Sequence, residues 1–420
     1  MLNINEMNSK LHFMYHDVVH ILKYTLLKRN ISKSKKKKIK VAFLCQYVQA
    51  WNKFEALYES MTKNKDIEVY LICIPDKIEN NKFNGRWDEN ETYDFFLKKK
   101  YNVINAILSK DKWIDLKQYN FDYIVYTRPY QSFLPKEFLA KKVYQYSRIV
   151  FLLYGWCITK EIYSTVFPKD FCKYVDIFFA VSEYEKDEFV KRYPVSTKLG
   201  LKKAVFFGSP SLESILNDRN KETDVWDFAK NKYKIIWTPR WTTNPELGGS
   251  NFFVYYNVLL EYAENNKDIA LLIRPHPLAF KNFIKTGEMS LEELNNWKSR
   301  INNLDNVKLD MSLEYSRTLW NADLMISDVS GILPEYFVTQ KPLVFTPTNM
   351  TLNLNSTSLK MLKGCYVAKN KNELFKIIND IRKNDTKKII RKSIIDQVFK
   401  INNDASRKIT DALYKWRIVE

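Results

Sequence analysis

Short runs of consecutive apolar residues alternate with helix-like segments along most of the chain. Such runs are typical of parallel strands that are buried on both faces, and a helix between successive strands completes a βαβ pattern. The pattern predicts strands over residues 40–46, 67–74, 123–127, 149–154, 177–181 and 204–207, and a second series over 234–238, 270–273, 307–309, 324–326 and 343–345. We therefore predict an α/β protein with two Rossmann-like, doubly wound domains facing a cleft.

The length of the chain and the order of these elements predict four segments. A chain of 420 residues is long enough for two domains. We expect an amphipathic helix and a basic linker at residues 1–40, an N-terminal domain at 41–225, a C-terminal domain at 226–385 and terminal helices at 386–420. Ligands favour clefts and the carboxyl ends of parallel strands, so the loops that follow the strands are the candidate sites.

Residues 9–29 have the spacing of an amphipathic helix, and a lysine-rich run over 33–40 follows them. The apolar positions are Leu11, Met14, Tyr15, Val18, Leu22 and Leu26. This combination favours a helix that lies on anionic lipid; the alternative is a helix packed on the domain, followed by a solvated linker. No apolar run long enough to span a membrane and no signal-peptide pattern is found. We expect a cytoplasmic protein, soluble or peripheral on the inner face of the cell membrane.

The chain is strongly basic, with a formal net charge of +19. A positive excess attracts nucleic acid, anionic lipid, or an anionic polymer or nucleotide, and a compositional preference for lysine is the alternative explanation. The five cysteines are widely spaced and contain no CxxC pair, which indicates reduced core residues. His12, His16 and His20 share one face of the first predicted helix, but no carboxylate or cysteine cluster accompanies them. We therefore expect a polar helix flank and no metal.

The strongest candidate for phosphate binding directly follows a predicted strand. It consists of Ser327, Asp328, Ser330 and Gly331 at the start of a predicted helix, with Glu335 in the first turns of that helix. Free backbone N–H groups and serine hydroxyls at a helix start can bind phosphate, and a carboxylate there can accept hydrogen bonds from ribose hydroxyls. An ordinary N-cap is the alternative for this segment.

Two more strand ends carry basic residues. Arg274 and His276 lie in an Arg-Pro-His-Pro segment, whose prolines restrict the backbone. An arginine offers a fork of donors to phosphate oxygens, and a histidine can donate to phosphate or move a proton near neutral pH. Thr238 and Arg240 end the first strand of the second series and predict a contact with the donor phosphate or nucleotide. A rigid turn with a structural histidine and a capped turn are the respective alternatives.

Loops in the N-terminal half supply the candidates for an acceptor site. Trp51 lies in the loop after the first strand, Arg128 follows the third strand, and Tyr154 and Gly155 lie at the end of the fourth. Such loops are the usual ligand-binding positions of open α/β sheets. No glycine-rich fingerprint follows the first strand, so an ordinary dinucleotide site is not expected.

Taken in order, the segments at 238–241, 274–277 and 327–331 resemble motifs of the CDP-glycerol glycerophosphotransferase family, the teichoic-acid polymerase and primase group. The family motifs are a strand ending like APTWR, an RPHP segment and an SDYSS segment, followed by an acidic residue and a Lys-Pro pair. Glu335 and Lys341 match the last two features. The resemblance covers about residues 120–350 and is strongest in the C-terminal domain.

This resemblance implies a GT-B fold and a transferase that moves glycerol phosphate, or a related polyol phosphate, from a CDP-activated donor. The acceptor it implies is a cell-surface polymer such as a teichoic-acid-like or capsular polysaccharide. It also implies that the C-terminal domain binds the nucleotide, that the N-terminal domain binds the acceptor, and that no metal or other cofactor is needed. In these terms Arg274 and the catalytic His276 lie near the donor phosphates, Ser330 and the amides after Ser327 hold phosphate, and Glu335 binds the ribose.

The sequence departs from the family pattern at Tyr154. Family members usually carry a His-Gly pair at this place, and the histidine is thought to act as the base toward the acceptor; here the pair is Tyr154-Gly155. A tyrosine with an ordinary pKa of about 10 is a poor base at neutral pH. Glu55, on the helix after the first strand, or Glu183 is then a candidate base. A solvent-facing helix residue is the alternative for Glu55, and a different donor is another explanation of the departure.

Two other functions are compatible with the sequence. One is a GT-B glycosyltransferase that uses a nucleotide sugar in capsule, lipooligosaccharide or O-antigen synthesis. The other is a non-catalytic basic protein that binds nucleic acid or membrane. The strand-end placement of the Arg, His and Ser motifs argues against the latter, and no helix-turn-helix, zinc-finger or aromatic-rich RNA motif is found. We expect the partners to be a nucleotide donor and an anionic or glycan polymer, with no nucleic acid.

Overall fold

The computed structural model describes residues 11, 14–15, 17–18, 21, 38–75, 90–109, 112–161, 167–401 and 404–418. The chain divides into two compact units. Unit 1 contains Met1–Gly155, Ser164–Glu213 and Asn402–Glu420, and unit 2 contains Trp156–Tyr163 and Ser214–Ile401.

Unit 1 is built on a seven-stranded parallel sheet with the strand order β3-β2-β1-β6-β7-β8-β9. In chain order the strands are β1 (Ile39–Cys45), β2 (Ile67–Cys73), β3 (Val103–Asn105), β4 (Ile107–Ser109), β5 (Lys112–Trp113), β6 (Tyr123–Tyr126), β7 (Arg148–Leu152), β8 (Ile177–Phe179) and β9 (Lys203–Val205). The β4 and β5 strands form a separate antiparallel pair. The chain moves outward from β1 to β3 and then returns to β6 beside β1. This reversal is the doubly wound topology, and it creates a switch point between β1 and β6.

Unit 2 repeats the same plan with a six-stranded parallel sheet in the order β12-β11-β10-β13-β14-β15. Its strands are β10 (Tyr233–Thr238), β11 (Ile269–Ile273), β12 (Val307–Leu309), β13 (Leu324–Ser327), β14 (Leu343–Phe345) and β15 (Tyr366–Val367). The switch point lies between β10 and β13. The central strands are buried along nearly their whole length, which explains their consecutive apolar residues.

Helices connect the strands in both units. α-Helices span Glu55–Thr62, Glu91–Lys98, Ala140–Val143, Lys169–Cys172, Glu183–Arg192, Pro194–Lys198, Pro210–Asn217, Phe252–Asn265, Ala279–Lys285, Leu291–Asn302, Ser316–Asn321, Leu333–Phe337, Ser356–Leu362, Lys371–Lys383, Lys388–Val398 and Ala405–Ile418. Short 3₁₀ helices span Val48–Lys53, Leu116–Tyr119, Gln131–Phe133, Lys136–Phe138, Asp224–Ala229 and Pro245–Leu247.

The α/β prediction and all of its strands are confirmed. Each predicted strand overlaps an observed one, and the predicted strands at 307–309 and 343–345 have the observed bounds. The elements that the apolar pattern missed are β3, the β4–β5 pair and β15, each of two or three residues. Their side chains are only partly buried, so their sequences lack the continuous apolar run of a central strand.

The observed division of the chain differs from the predicted one at its carboxyl end. The helix Ala405–Ile418 belongs to unit 1, although the preceding helix Lys388–Val398 belongs to unit 2. Ile409 and Leu413 join the apolar core around β1, and the backbone carbonyl of Leu413 accepts a hydrogen bond of 3.0 Å from the Tyr123 hydroxyl. The boundary between the units lies at residues 213 and 214 rather than at 225, because the segment after the helix start at Pro210 packs with unit 2.

Most of the predicted helix at 9–29 and of the basic run at 33–40 lies outside the described residues. The described members Leu11, Met14, Tyr15 and Val18 have helical backbone and exposed side chains. Asp17 faces the opposite way: it is buried, and its carboxylate accepts hydrogen bonds of 2.9 and 3.0 Å from the backbone N–H groups of Val195 and Ser196. Asp17 therefore ties this segment to the helix Pro194–Lys198, and the four described apolar side chains are exposed.

Candidate active site

Three motifs singled out in the sequence meet at the carboxyl edge of the unit 2 sheet. Thr238 ends β10, Ser327 ends the neighbouring β13 and is its register partner, and Arg274 directly follows β11 on the other side of β10. The backbone N–H of Arg274 donates to the carbonyl oxygen of Trp237 at 2.8 Å, so its loop starts within the sheet. Because β10 and β13 form the switch point, this edge is the expected ligand-binding position of the fold.

Asp328 is buried at this edge, and its carboxylate holds a neighbouring loop in place. Its carboxylate accepts hydrogen bonds from the Arg240 backbone N–H at 3.0 Å, the Ser250 hydroxyl at 2.9 Å and the Asn251 backbone N–H at 3.1 Å. The loop between β10 and the helix Phe252–Asn265 is thereby tied at both of its ends to the loop after β13. The oxygen atoms of Asp328 face protein donors, and a contact of this residue with the nucleotide stays a prediction. A second contact, from Arg240 Nη1 to the Val329 carbonyl at 2.6 Å, holds the same loops.

The loop that carries Arg240 and Ser250 also contains a glycine pair. Gly248 and Gly249 have φ values of +100° and +65°, a backbone region that L side chains rarely adopt. A Cβ atom on Gly248 would lie 3.4 Å from the Arg240 guanidinium carbon, and one on Gly249 would lie 3.2 Å from the Thr348 Cβ. The distance at Gly248 is an ordinary contact, so the positive φ values, and at Gly249 also the close approach of Thr348, are what favour glycine here.

Burial raises the pKa of Asp328 to about 6, well above its ordinary value, and the three donors oppose that shift without cancelling it. The folded protein therefore keeps a proton on Asp328 at pH values where the unfolded chain has lost it. The raised pKa adds to the free energy of unfolding. This contribution is fully present below about pH 4 and is lost as the pH rises through about 6.

We expect the Asp328→Asn variant to reveal this dependence. The variant should be less stable than the wild type at both pH 5 and pH 7.5, because an amide supplies one acceptor oxygen in place of two. The difference in unfolding free energy should narrow by about 1 kcal/mol between pH 5 and pH 7.5, because only the wild type pays for ionising a buried group in this range. Thermal unfolding of both proteins at the two pH values measures it. A difference that is constant or that widens would contradict the assignment.

Ser327 and Thr238 lock the two central strands together. The Ser327 side chain is fully buried and its hydroxyl donates to the Thr238 carbonyl at 2.9 Å, while the Thr238 hydroxyl donates to the Ile326 carbonyl at 3.4 Å. Both hydroxyls therefore have protein partners, and the contacts predicted between these residues and the nucleotide stay predictions. Ser330 and Gly331 are half-buried in the following loop. The helix behind them, Leu333–Phe337, has only five residues, so its dipole adds less than a long helix would.

Arg274 is held rigidly beside an aromatic ring. Its Nη1 donates to the Asp310 carboxylate at 2.5 Å, its Nη2 donates to the Ser312 carbonyl at 2.7 Å, and the guanidinium carbon lies 4.6 Å from the centroid of the Tyr315 ring. The Tyr315 hydroxyl donates to the buried Glu335 carboxylate at 2.5 Å. Arg274 and Glu335, which are far apart in sequence, are therefore members of one network.

Sequence reasoning missed Asp310 and Tyr315, the residues that connect this network. Asp310 directly follows β12, and its position at the end of a strand was a usable signal. Tyr315 lies on a loop before the helix Ser316–Asn321, where nothing in the sequence distinguishes it from a packing residue.

His276 is half-buried and its orientation is set by the local backbone. Its Nδ1 accepts a hydrogen bond of 3.2 Å from the backbone N–H of Leu278, and its own backbone N–H donates to the Pro239 carbonyl at 3.1 Å. With Nδ1 acting as acceptor, the neutral imidazole carries its proton on Nε2. The side chain can therefore donate from Nε2 to an oxygen of a bound phosphate.

The residues predicted for unit 1 fall into two groups. Arg128, Tyr154 and Gly155 are half-buried at the carboxyl edge of the sheet, where β6 and β7 end. Trp51 is only 3% exposed and packs among aromatic rings that include Phe96, with ring centroids 4.8 Å apart. The 3₁₀ helix Val48–Lys53 turns the Trp51 side chain into the core, so its burial gives the predicted acceptor contact no support.

The carboxylates considered as bases are already engaged. Glu55 starts the helix Glu55–Thr62, and its Oε1 accepts hydrogen bonds from the Tyr101 hydroxyl and, at 3.3 Å, from the Lys99 amine. Glu183 forms an ion pair with Lys186. Among the described residues, no group of three or more His, Cys, Asp or Glu side chains is arranged to hold a metal ion. Within the same residues, no helix is long and apolar enough to cross a bilayer.

Comparison with known proteins adds a family and a fold. The family model described as CDP-Glycerol:Poly(glycerophosphate) glycerophosphotransferase matches residues 168–415. A search of curated proteins found no match. Among solved structures, wall teichoic acid polymerase TagF is 13% identical with a TM-score of 0.54, and the match covers 99% of this chain and 98% of that one.

Two further solved structures have the same fold. The S. aureus MnaA–UDP structure is 12% identical with a TM-score of 0.60, and the match covers 91% of this chain and 98% of that one. The UDP-GlcNAc 2-epimerase from Neisseria meningitidis bound to UDP-GlcNAc is 12% identical with a TM-score of 0.58, and covers 90% of this chain and 100% of that one. The predicted GT-B-like pair of Rossmann-like domains is thereby confirmed.

Proposed function

Because the chain belongs to the CDP-glycerol:poly(glycerophosphate) glycerophosphotransferase family, we propose that it transfers glycerol phosphate from CDP-glycerol to a cell-surface polymer through residues at the carboxyl edge of its unit 2 sheet. The observation that carries the proposal is the meeting of Arg274, His276 and the Ser330 loop at one switch point. The family assignment makes the protein a transferase. The exact donor, the acceptor and the residue roles are the proposed parts.

In the proposed reaction an acceptor hydroxyl attacks the phosphorus that carries glycerol. A new P–O bond forms to the acceptor, the P–O bond to the nucleotide phosphate breaks, and CMP leaves. Negative charge develops on the departing phosphate, so fixed donors and a positive charge beside it lower the barrier. His276 donates from Nε2, the Ser330 hydroxyl supplies a further donor, and Arg274 supplies the charge, since Asp310 and Tyr315 hold its guanidinium in place.

In this proposal Glu335 binds the ribose. Its side chain is fully buried. Its Oε2 accepts from the Tyr315 hydroxyl, and the Tyr315 ring contacts Arg274, which joins Glu335 to Arg274. Tyr315 therefore links the residue assigned to the ribose with the residue assigned to the donor phosphates.

On the acceptor side, Tyr154 stands where the family has the histidine that is thought to act as the base. Glu55 already accepts two hydrogen bonds at one oxygen, which disfavours it as a proton acceptor. We expect Glu55→Gln to retain turnover near the wild-type value in a CDP-glycerol transfer assay. Loss of a general base costs about 10²–10⁴-fold, so a loss of that size would restore Glu55 to the mechanism.

The donor is tested by calorimetric titration of the purified protein with CDP-glycerol, CDP, CMP, UDP and GDP. We expect selective binding of the cytidine nucleotides, with CDP-glycerol binding weakened in Ser330→Ala. Preference for UDP or GDP would favour the second function, a glycosyltransferase that uses a nucleotide sugar; UDP is the nucleotide in the MnaA structure of the same fold. Absence of any nucleotide binding would overturn the proposal.

We further propose that the protein works as a peripheral enzyme on the inner face of the cell membrane. The support is that the apolar side chains of Leu11, Met14 and Val18 are exposed, while Asp17 on the same segment is held by the backbone N–H groups of Val195 and Ser196. The lysine-rich sequence at 33–40 supplies the charge for anionic lipid.

Liposome co-sedimentation tests the membrane proposal. We expect full-length protein to sediment with vesicles containing phosphatidylglycerol and to remain in solution with phosphatidylcholine vesicles. The double variant Leu11→Glu, Val18→Glu should lose most of this binding, because two charges replace exposed apolar side chains. Equal sedimentation of the double variant and the wild type would exclude this segment as the contact.

A further inference from the structure

A second set of residues lies at the switch point of unit 1 and has no role in the donor mechanism. Arg128 follows β6, Tyr47 follows the adjacent β1, and Tyr130 and Phe133 lie in the loop after Arg128. We call these four residues the Arg128 cluster. They are all half-buried at the carboxyl edge of the unit 1 sheet, where this fold binds ligands.

The aromatic rings hold the arginine in place without using its hydrogen-bond donors. The guanidinium carbon lies 5.1 Å from the ring centroid of Tyr47, 5.5 Å from that of Tyr130 and 5.3 Å from that of Phe133. Contacts of this kind involve the face of an aromatic ring and the positive charge of the guanidinium. They orient the group and leave its five N–H bonds for another partner.

The hydrogen-bonding capacity of Arg128 is unmet among the described residues. Its Nη1 is buried and has no hydrogen-bond partner there, and none of the ion pairs of the described chain includes Arg128. A buried charged donor without an acceptor is destabilising, so a site of this kind is normally completed by a ligand or by water. The half-buried position of the residue allows a ligand to approach.

The chemistry of the cluster selects the ligand class. A guanidinium donates only, and its planar fork matches two oxygen atoms of a phosphate. The neighbouring Tyr130 and Tyr154 hydroxyls lie 3.5 Å apart at the same sheet edge and can add donors to the same group. Arg274 shows the contrasting case, because its fork is already occupied by Asp310 and Ser312.

We propose that the Arg128 cluster is a phosphate-binding site that holds a phosphate group of the acceptor. The description of that phosphate as part of the acceptor rests on the proposed function; the existence of an anion site does not. A phosphate-bearing polymer is the acceptor class that the family description already names, and the inference adds the residues that would hold its phosphate.

The full-length protein is first saturated with CDP. It is then titrated with sn-glycerol 3-phosphate or inorganic phosphate, and ligand-detected NMR measures binding. Glycerol and glycerate are the uncharged and carboxylate probes. The variants are Arg128→Gln and Arg128→Lys, and the control is Lys141→Gln, which removes one positive charge from an exposed position of the same unit. Circular dichroism and thermal unfolding establish that each protein is folded.

We expect both phosphate probes to bind the wild type and Lys141→Gln equally, and to bind Arg128→Gln about 10–100-fold more weakly. Arg128→Lys should also bind more weakly than the wild type, because an ammonium lacks the fork. This variant keeps the test valid if Arg128→Gln does not fold. Equal phosphate affinity of the wild type and the Arg128 variants would overturn the proposal, and glycerate binding as tight as that of glycerol 3-phosphate would overturn the choice of phosphate.

Measuring CDP binding to each protein distinguishes a failure of this inference from a failure of the proposed function. If CDP binds every variant equally, a loss of phosphate binding in Arg128→Gln supports the site in unit 1. If CDP binds none of the proteins, the proposed donor is wrong, and the phosphate titration without CDP still decides whether Arg128 binds an anion.

Discussion

Replacement of His276 by alanine should lower turnover with CDP-glycerol by about 10²–10⁴-fold and leave the unfolding temperature close to that of the wild type. The loss follows from the position of the imidazole: the Leu278 N–H holds Nδ1, so the proton lies on Nε2, at the edge where the donor phosphates are proposed to bind. Alanine removes that donor and opens no cavity in the core, since His276 is only half-buried. Steady-state transfer of labelled glycerol phosphate measures the effect.

The His276→Gln variant separates hydrogen bonding from proton transfer. A glutamine amide can donate to phosphate but cannot exchange a proton, so partial recovery of turnover relative to His276→Ala indicates electrostatic stabilisation of the leaving phosphate. CDP affinity, measured by calorimetry, should fall less than turnover does, because a transition-state interaction affects kcat more than ground-state binding. Turnover of His276→Ala within a few-fold of the wild type would remove His276 from the mechanism.

Replacement of Arg391 by methionine should destabilise unit 2 by about 3–5 kcal/mol. The Arg391 side chain is completely buried, donates to the carbonyl oxygens of Gln340 and Gly364 at 3.1 Å each, and pairs with the Asp385 carboxylate. Methionine fills the space of the aliphatic stem and leaves a carboxylate and two carbonyls without their donor. The chain is also closely packed there, because a Cβ on Gly364 would lie 2.8 Å from the Arg391 Cγ.

Arg300→Met is the matched control for Arg391→Met. Arg300 donates to Glu264 at 3.0 and 2.7 Å, but both side chains are about one-third exposed, so removing this pair should cost at most about 1 kcal/mol. Thermal unfolding should show a fall of about 2–4 °C for each kcal/mol lost. Equal effects of the two substitutions would mean that the buried network around Arg391 contributes no more than a surface ion pair.

The sequence was sufficient for the fold because the central strands are buried on both faces and are therefore uniformly apolar. It was also sufficient to bring Arg274, His276 and Ser330 to one sheet edge, since residues that follow parallel strands must lie there. It could not assign Asp328, whose partners Arg240 and Ser250 are 78–88 residues away in the chain. Hydrogen bonds across such separations depend on the folded path of the loops, which apolar periodicity does not encode.

The direction of a side chain within a loop was the other quantity that the sequence did not determine. Trp51 follows a strand, as a ligand-binding residue would, but the 3₁₀ helix turns it into an aromatic core. Lys341, in the Lys-Pro pair that resembles the family motif, places its amine on the Ala322 carbonyl at 2.7 Å. Position after a strand is thus a necessary condition for a site residue in this fold, and local backbone geometry decides the rest.

The return of the helix Ala405–Ile418 to unit 1 has a consequence for biosynthesis. Ile409 and Leu413 complete a core that is otherwise made from the first half of the chain, so the ribosome must pass through all of unit 2 before unit 1 can finish folding. During that interval the apolar surface of unit 1 that this helix covers is open to solvent and to chaperones. A stop codon shortly after residue 400 should therefore yield an insoluble product, even though every residue of the proposed donor site has already been translated.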